Sequence, residues 1–382
     1  MKSIFLKFLL TIVFIELLAG CAKQSANNAN TEDSEHSHYA IGFTLTDSAS
    51  YRIVSVISPW TPLDEMARYY LTREKQLTAE EQQRMQGKCV ITIPLQRIGV
   101  TSCTHIGFLD AIGCKDALVG VCNPELVYTD LSTVKGMKEG TLNIGDAMAP
   151  DIERVVFAHP DMMFISTYAQ GDATSTQLEK MGIPVLYINE WMEEDPLARA
   201  EWVRLIAAFM DKEDLADSIF NAVEERYDSL SHLWYNRPLD QRPSIMSGQD
   251  FRGTWYVPSG NTYMGQLFRD AGAAYYYQDT RYKSSIPLTF ERALVDFADA
   301  DIWVGVNAHT LDELKQINSQ HTLFRSYQTG RVYHFERRAT PSGANDFWER
   351  GVVHPDELLA DLIGILYPGE IQDPPTYIEQ LH

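Results

Sequence analysis

Two short stretches of this 382-residue chain set a carboxylate beside a guanidinium at what reads as the start of a helix. The first is Asp151-Ile152-Glu153-Arg154, followed by the apolar pair Val155-Val156, an Asp and a short strand-like run. The second is Phe290-Glu291-Arg292, followed by Ala293-Leu294, an Asp and a strand arriving slightly later. A glutamate in a first helical turn is favoured by the helix dipole by about 0.3–1 kcal/mol whatever else it does. An exposed carboxylate also suits a basic partner met transiently, because rim charges govern encounter and orientation more than affinity. Reaction chemistry has no comparable signature here. No nucleophile with a paired base, no phosphate-cradling loop, no Gly-rich dinucleotide turn and no zinc-protease motif is present. The run from Val257 to Gly265 has glycines at a strand–helix junction but lacks the lysine of a phosphate loop. The ten histidines form no His-rich loop, which argues against a site built from three or four metal ligands.

The elements that must carry these residues repeat as well. Thr104-His105-Ile106-Gly107-Phe108-Leu109 and Thr262-Tyr263-Met264-Gly265-Gln266-Leu267 share the pattern Thr-x-x-Gly-x-Leu. Each reads as a helix that stops at a glycine, and each follows a strand-like run. Two echoes in the same order predict a duplicated plan. Alternating helical and strand periods favour mostly parallel sheets covered by helices. Between the halves, Pro196–Met210 is followed by a run in which Leu215, Ile219, Phe220, Val223, Tyr227, Leu230 and Trp234 recur at helical spacing. A helix from 213 to 234 would be about 33 Å long, enough to bridge two lobes as a strut. The fold class expected is therefore α/β, with two Rossmann-like lobes joined by one long connecting helix and a ligand cleft between them.

Composition bounds the partners. The formal net charge of −20 argues against nucleic acid and against docking on anionic lipid. Residues 1–20 carry Lys2 and Lys7 and then an apolar run from Phe8 to Leu18, interrupted by Glu16. That run is too short to span a bilayer and has the layout of an export signal. Leu18-Ala19-Gly20-Cys21 looks like a bacterial lipobox, which implies cleavage before Cys21 and its acylation. Each buried methylene of an acyl chain would contribute about 0.8 kcal/mol to membrane attachment. Residues 22–38 contain no large apolar side chain and read as a solvated tether. Cys89, Cys103, Cys114 and Cys122 fit no zinc spacing. In an oxidising compartment they either pair, with Cys103–Cys122 one candidate bridge, or stay as free buried thiols.

Taken together, the lipoprotein signal, the two α/β lobes, the long connecting helix and the paired Glu-Arg openings resemble the substrate-binding proteins of ABC importers. The iron-complex and cobalamin class fits best. The similarity runs from about Ile93 to Pro368 and is strongest in 148–166, 177–188, 256–273, 288–294 and 345–363. It implies an N-terminal lobe at 39–194, a helical linker at 195–236 and a C-terminal lobe at 237–382. Residues 39–88 fall outside the family pattern and read as an added β-hairpin. The resemblance implies that Glu153 and Glu291 dock the lobes on a permease dimer with its cytoplasmic ATPase. It also implies a small-molecule metal chelate in the cleft, a monomer, and a periplasmic, lipid-anchored location.

Ligand candidates are the loops that follow the strands. They comprise Thr101 to His105, Asn123, Tyr168 and Trp191 from the first half. From the second come Arg252, Trp255, Tyr256, Asn261, Tyr263, Phe347, Trp348 and Arg350. Flat aromatic walls suit a corrin, haem or catecholate siderophore, and the two arginines favour an anionic one. Any single aromatic can equally be core, and Arg252 and Arg350 can equally pair with Asp250 and Glu349. His105 is a possible axial ligand, but a lone histidine at a helix start is more often a packing residue, so no metal ligand and no resident cofactor are assigned. Two alternatives share this plan. One is a surface lipoprotein that captures ligand without a permease; the other is a chelatase-like enzyme.

Overall fold

The computed structural model describes residues 34–35, 38–48, 50–61, 64–73, 77–134 and 142–382. The export signal expected at 1–20 and the acylation expected at Cys21 lie outside the described residues.

Each half builds its own sheet from short strands whose apolar residues are buried on both faces, the pattern expected when helices cover a parallel sheet. In the first lobe the strand order is Val185–Tyr187, Met162–Ile165, Ile98–Val100, Leu118–Val121, Leu142–Asn143, all parallel. In the second it is Ala274–Tyr275, Ser244–Ser247, Ile302–Val304, Val332–His334, Glu379–Gln380, with only the last pair antiparallel. A small antiparallel sheet of Asp250–Phe251, Thr254–Val257 and Ile286–Leu288 adjoins the second lobe.

The helical linker is a pair of helices, Pro196–Met210 and the 22-residue Glu213–Trp234. Asp195 caps the first by accepting the Leu197 and Ala198 amides, and Asp211 ends it in a left-handed conformation with φ 55°. The second buries Ala216, Phe220, Val223 and Tyr227 at alternating spacings of four and three, one stripe of a helix. The first is buried nearly all round. It touches the helix Cys103–Ala111 of the first lobe and the helices Tyr263–Asp270 and Pro355–Leu366 of the second. One hydrophobic core accordingly runs from Ile98 and Phe164 through Trp202 and Phe220 to Trp303 and Leu362.

Two expectations need correction. The region expected to be a hairpin at 39–88 is a five-stranded sheet: Ser34–Glu35, Phe43–Asp47, Arg52–Ile57, Glu65–Arg73 and Cys89–Ile93. The third and fourth of these extend the hairpin, and Cys89–Ile93 pairs parallel to Glu65–Arg73 after the short helix Ala79–Arg84. A parallel neighbour needs a crossover, so no turn signal in the sequence marks it. The tether expected through residue 38 is also held before that point. Ser34–Glu35 pairs with Leu45 and Thr46, and the amides of His38, Tyr39 and Ala40 donate to the buried Glu201 carboxylate at 2.8–2.9 Å. Glu193 similarly accepts the Gly42 amide at 3.0 Å and the Trp202 indole N–H at 3.0 Å.

Candidate functional site

In a parallel α/β sheet the loops after the strands gather at one edge, where ligands bind. Two strand ends of the first lobe bring Tyr168 and Trp191 together there, with ring centroids 5.4 Å apart and planes tilted by 30°. Both rings are exposed. Behind them lies Glu190, fully buried, with Arg199 at 3.8 Å and neither carboxylate oxygen hydrogen-bonded among the described residues. Burial raises the Glu190 carboxyl pKa, and Arg199 opposes that shift. Arg199 also stacks its guanidinium over the Tyr263 ring of the second lobe, 5.0 Å from its centroid. Tyr168 feels the same surroundings: burial, Glu190 and Cys103 raise its phenol pKa.

The lobes are joined by polar contacts near these aromatics. Glu194 of the first lobe accepts from Asn261 at 3.1 Å and lies 3.8 Å from Lys283. Glu349 of the second, next to the exposed Trp348, accepts the amides of Tyr128 at 2.7 Å and Thr129 at 3.0 Å, and the Thr129 hydroxyl. The seam is close-packed at Gly107: a Cβ there would run into the Glu349 carbonyl, whose carbon would lie 2.7 Å away. Both lobes line a cavity of about 340 Å³ beside this seam, with Lys115 and Thr129 on one side and Arg338 and Arg350 on the other.

Several ligand candidates face elsewhere. His105 is fully buried in the helix Cys103–Ala111; its Nε2 lies 3.1 Å from the Ser166 hydroxyl, and burial pushes its pKa down to about 3. It is a neutral packing residue. Trp255 and Tyr256 are consecutive in one strand, so they point to opposite faces. Trp255 is enclosed against Trp303 and Phe324 and donates to the Ser247 carbonyl, whereas Tyr256 is exposed. Phe347 and Trp348 divide likewise, Phe347 stacking on Phe335 in the interior. Arg350 turns away to Glu357 and Tyr377, so its pairing with Glu349 does not form. Arg252 sits at the tip of the hairpin 250–255 at φ 55°, over the Phe251 ring rather than on Asp250. Asn123, also at positive φ, is occupied by the amide of Ala147 and the carboxylate of Asp146. Tyr263 is half-buried beneath Arg199. Tyr168, Trp191, Tyr256 and Trp348 are the candidates that present aromatic surface. Sequence reading missed Glu190, Glu194, Arg199 and Glu349; Glu194, Arg199 and Glu349 have partners far away in the chain, and Glu190 meets Arg199 across the turn into the helix Pro196–Met210. The four cysteines Cys89, Cys103, Cys114 and Cys122 are free thiols.

The paired acidic openings match closely. Asp151 caps the helix Ile152–Ala158 by accepting the Arg154 amide, and Thr289 caps Phe290–Phe297 by accepting the Arg292 amide. Glu153 and Glu291 therefore occupy the same position in the first turn, and both are exposed. Their arginine neighbours, though exposed, are each engaged by other partners. Arg154 holds Asp151 at 3.2 Å and the Asn143 carbonyl at 3.1 Å, and Arg292 holds Asp296 at 2.7 Å and the Tyr276 hydroxyl at 3.0 Å. Neither glutamate has an ion pair among the described residues. A short turn sends each helix back along a parallel strand, Met162–Ile165 or Ile302–Val304. Each glutamate thus lies at the edge of its sheet where the strands end, the cleft edge.

Two α/β lobes on a helical spine, with an exposed aromatic pair at the strand ends of the first, have the architecture of a bilobal solute-binding protein. The chain belongs to the periplasmic binding protein family, whose profile matches residues 99–339. An uncharacterized lipoprotein of Methanocaldococcus jannaschii is 26% identical over 289 residues, covering 73% of this chain and 67% of the relative. A periplasmic haem-binding protein of Pseudomonas aeruginosa shares the fold with a TM-score of 0.56 at 16% identity, covering 75% of this chain and 98% of its own. The periplasmic vitamin B12-binding protein BtuF of Vibrio cholerae does so with a TM-score of 0.53 at 12% identity, covering 72% and 97%. The five-stranded sheet at 34–93 lies outside the matched family segment.

Proposed function

We propose that this chain is the lipid-anchored ligand carrier of an ABC importer, acylated at Cys21, which takes up an iron complex or a corrinoid and delivers it to a permease. The observation that carries this reading is the duplicated opening: one unpaired carboxylate per lobe, at the same helical position and at the cleft edge. A homodimeric permease offers two equivalent basic sites to such a pair. The exposed Tyr168–Trp191 pair supplies flat surface for a rigid, partly apolar chelate. The neighbours that bind haem and vitamin B12 are consistent with that ligand class. The polar contacts across the seam favour a preformed cleft.

The double variant Glu153→Ala/Glu291→Ala, made in the protein's own host, should abolish uptake while leaving ligand affinity intact. Unchanged uptake would remove the permease from the account. Protein purified from that host should carry the visible absorbance of a corrin, haem or ferric catecholate. Tyr168→Ala/Trp191→Ala should lower its occupancy about tenfold or more, since each aromatic contact is worth about 0.5–1.5 kcal/mol beyond buried area.

A further inference from the structure

Four residues beyond each docking glutamate stands an apolar side chain in water: Phe157 in the first lobe and Val295 in the second, each 75% exposed. Among the described residues no other large apolar side chain is as exposed. Residues four apart lie one above the other on a helix face, so Glu153 and Phe157 share one face, and Glu291 and Val295 share its counterpart. Of the other apolar positions of these helices, Val155 and Ala158 in one and Phe290, Ala293 and Phe297 in the other are buried, and Ile152, Val156 and Leu294 are partly buried. Amphipathic packing therefore does not account for Phe157 and Val295. Beside Val295 a groove of about 440 Å³ opens, lined by Leu239, Tyr276 and Phe297 among others.

We propose that Phe157 and Val295 are the apolar centres of a two-part docking surface, and that a two-fold permease dimer covers both at once. The proposal rests on the importer reading above and adds to it the contact that holds the complex together. Its grounds are the repetition and the charge. A partner with two-fold symmetry is the occupant for which the same acid-plus-apolar pair is needed once per lobe. The acid specifies that each copy of the partner offers a basic residue next to an apolar one. Charges at the rim steer encounter, whereas buried apolar anchors set how long a complex lasts. The two kinds of residue should therefore separate in kinetics. The lobes present unlike shapes, a protruding ring on one and a smaller side chain beside a hollow on the other. One segment of the permease must therefore fit both.

The test places a photo-crosslinking p-benzoylphenylalanine at 157, and separately at 295, in the full-length lipid-anchored chain in membranes of its host. Both positions should give adducts with the same permease polypeptide, in the same peptide of it. Adducts with a second copy of this chain, with lipid, or with two unrelated proteins, or no adduct at all, would overturn the proposal. With the crosslinked permease reconstituted in lipid nanodiscs, Phe157→Ser/Val295→Ser should dissociate at least tenfold faster, with its association rate changed less than about threefold. Glu153→Gln/Glu291→Gln should show the reverse. Both positions being exposed, the melting temperature should not move. If the glutamate variants lose uptake while the Phe157/Val295 variant dissociates like wild type, this proposal falls and the importer reading stands. If the glutamate variants also transport normally, both fall.

Discussion

Gly107→Ala pits helix propensity against the seam between the lobes. In the interior of a helix such as Cys103–Ala111, replacing glycine by alanine ordinarily stabilises by about 1 kcal/mol. At Gly107 the added methyl would overlap the Glu349 carbonyl of the opposite lobe, with the Arg350 amide nitrogen 3.4 Å away. These are backbone atoms of a turn pinned by Asp346, Glu349 and their partners, so no rotamer change relieves the overlap. Overpacking costs about 1–3 kcal/mol, and a backbone obstacle places this case near the top of that range. The net expectation is a loss of about 2 kcal/mol. Gly364 is the control, because it lies in the helix Pro355–Leu366 and a methyl there would meet nothing nearer than Ile371 Cβ at 3.8 Å. Gly364→Ala should gain about 0.5–1 kcal/mol. Urea unfolding of both variants, followed by tryptophan fluorescence and far-UV circular dichroism, measures the two shifts. Equal or greater stability of Gly107→Ala would show that the lobes are not close-packed there.

Two further outcomes follow from buried charge. His105 has a folded pKa of about 3 against 6.5 unfolded, so the unfolded chain takes up the proton first and stability falls as pH drops below 6.5. By pH 5 that loss is about 2 kcal/mol, and unfolding curves of His105→Asn should lack it; parallel pH profiles would contradict the assignment. Glu201→Gln should weaken the hold on residues 38–40 by about 2 kcal/mol, given that hydrogen bonds to a charged group contribute about 1.5–3 kcal/mol. Amide exchange at Tyr39 and Ala40 should then quicken by about thirtyfold, and unaltered exchange would refute the clamp.

The legible parts were those whose signals are local. A cap residue, an acid in the first turn and an apolar pair lie within six residues, so the openings at 151 and 289 could be read directly. The short apolar strands bounded by glycines were equally plain. Side-chain direction within a strand was also available but needs strict alternation: Trp255 and Tyr256 cannot both face a cleft. The break between Met210 and Glu213 was legible because the apolar periodicity stops at Met210 and an Asp-Lys-Glu-Asp run follows, although Asp211 itself takes a left-handed conformation without being glycine. Glu349 reaches Tyr128 across 221 positions and Glu194 reaches Asn261 across 67, and no periodicity encodes such pairs. His105 read ambiguously because a histidine at a helix start looks the same whether it faces solvent or core. The sheet at 34–93 was under-read because its last strand joins by a parallel crossover rather than a turn.

The clamp at residues 38–42 has a mechanical consequence. Those amides are gripped by Glu201 and Glu193, on and just ahead of the helix that both lobes share, so tension applied through the N-terminal chain enters the molecule at its backbone spine. Neither jaw is pulled away from the other. A pull at residue 38 would load that spine without prising the two lobes apart.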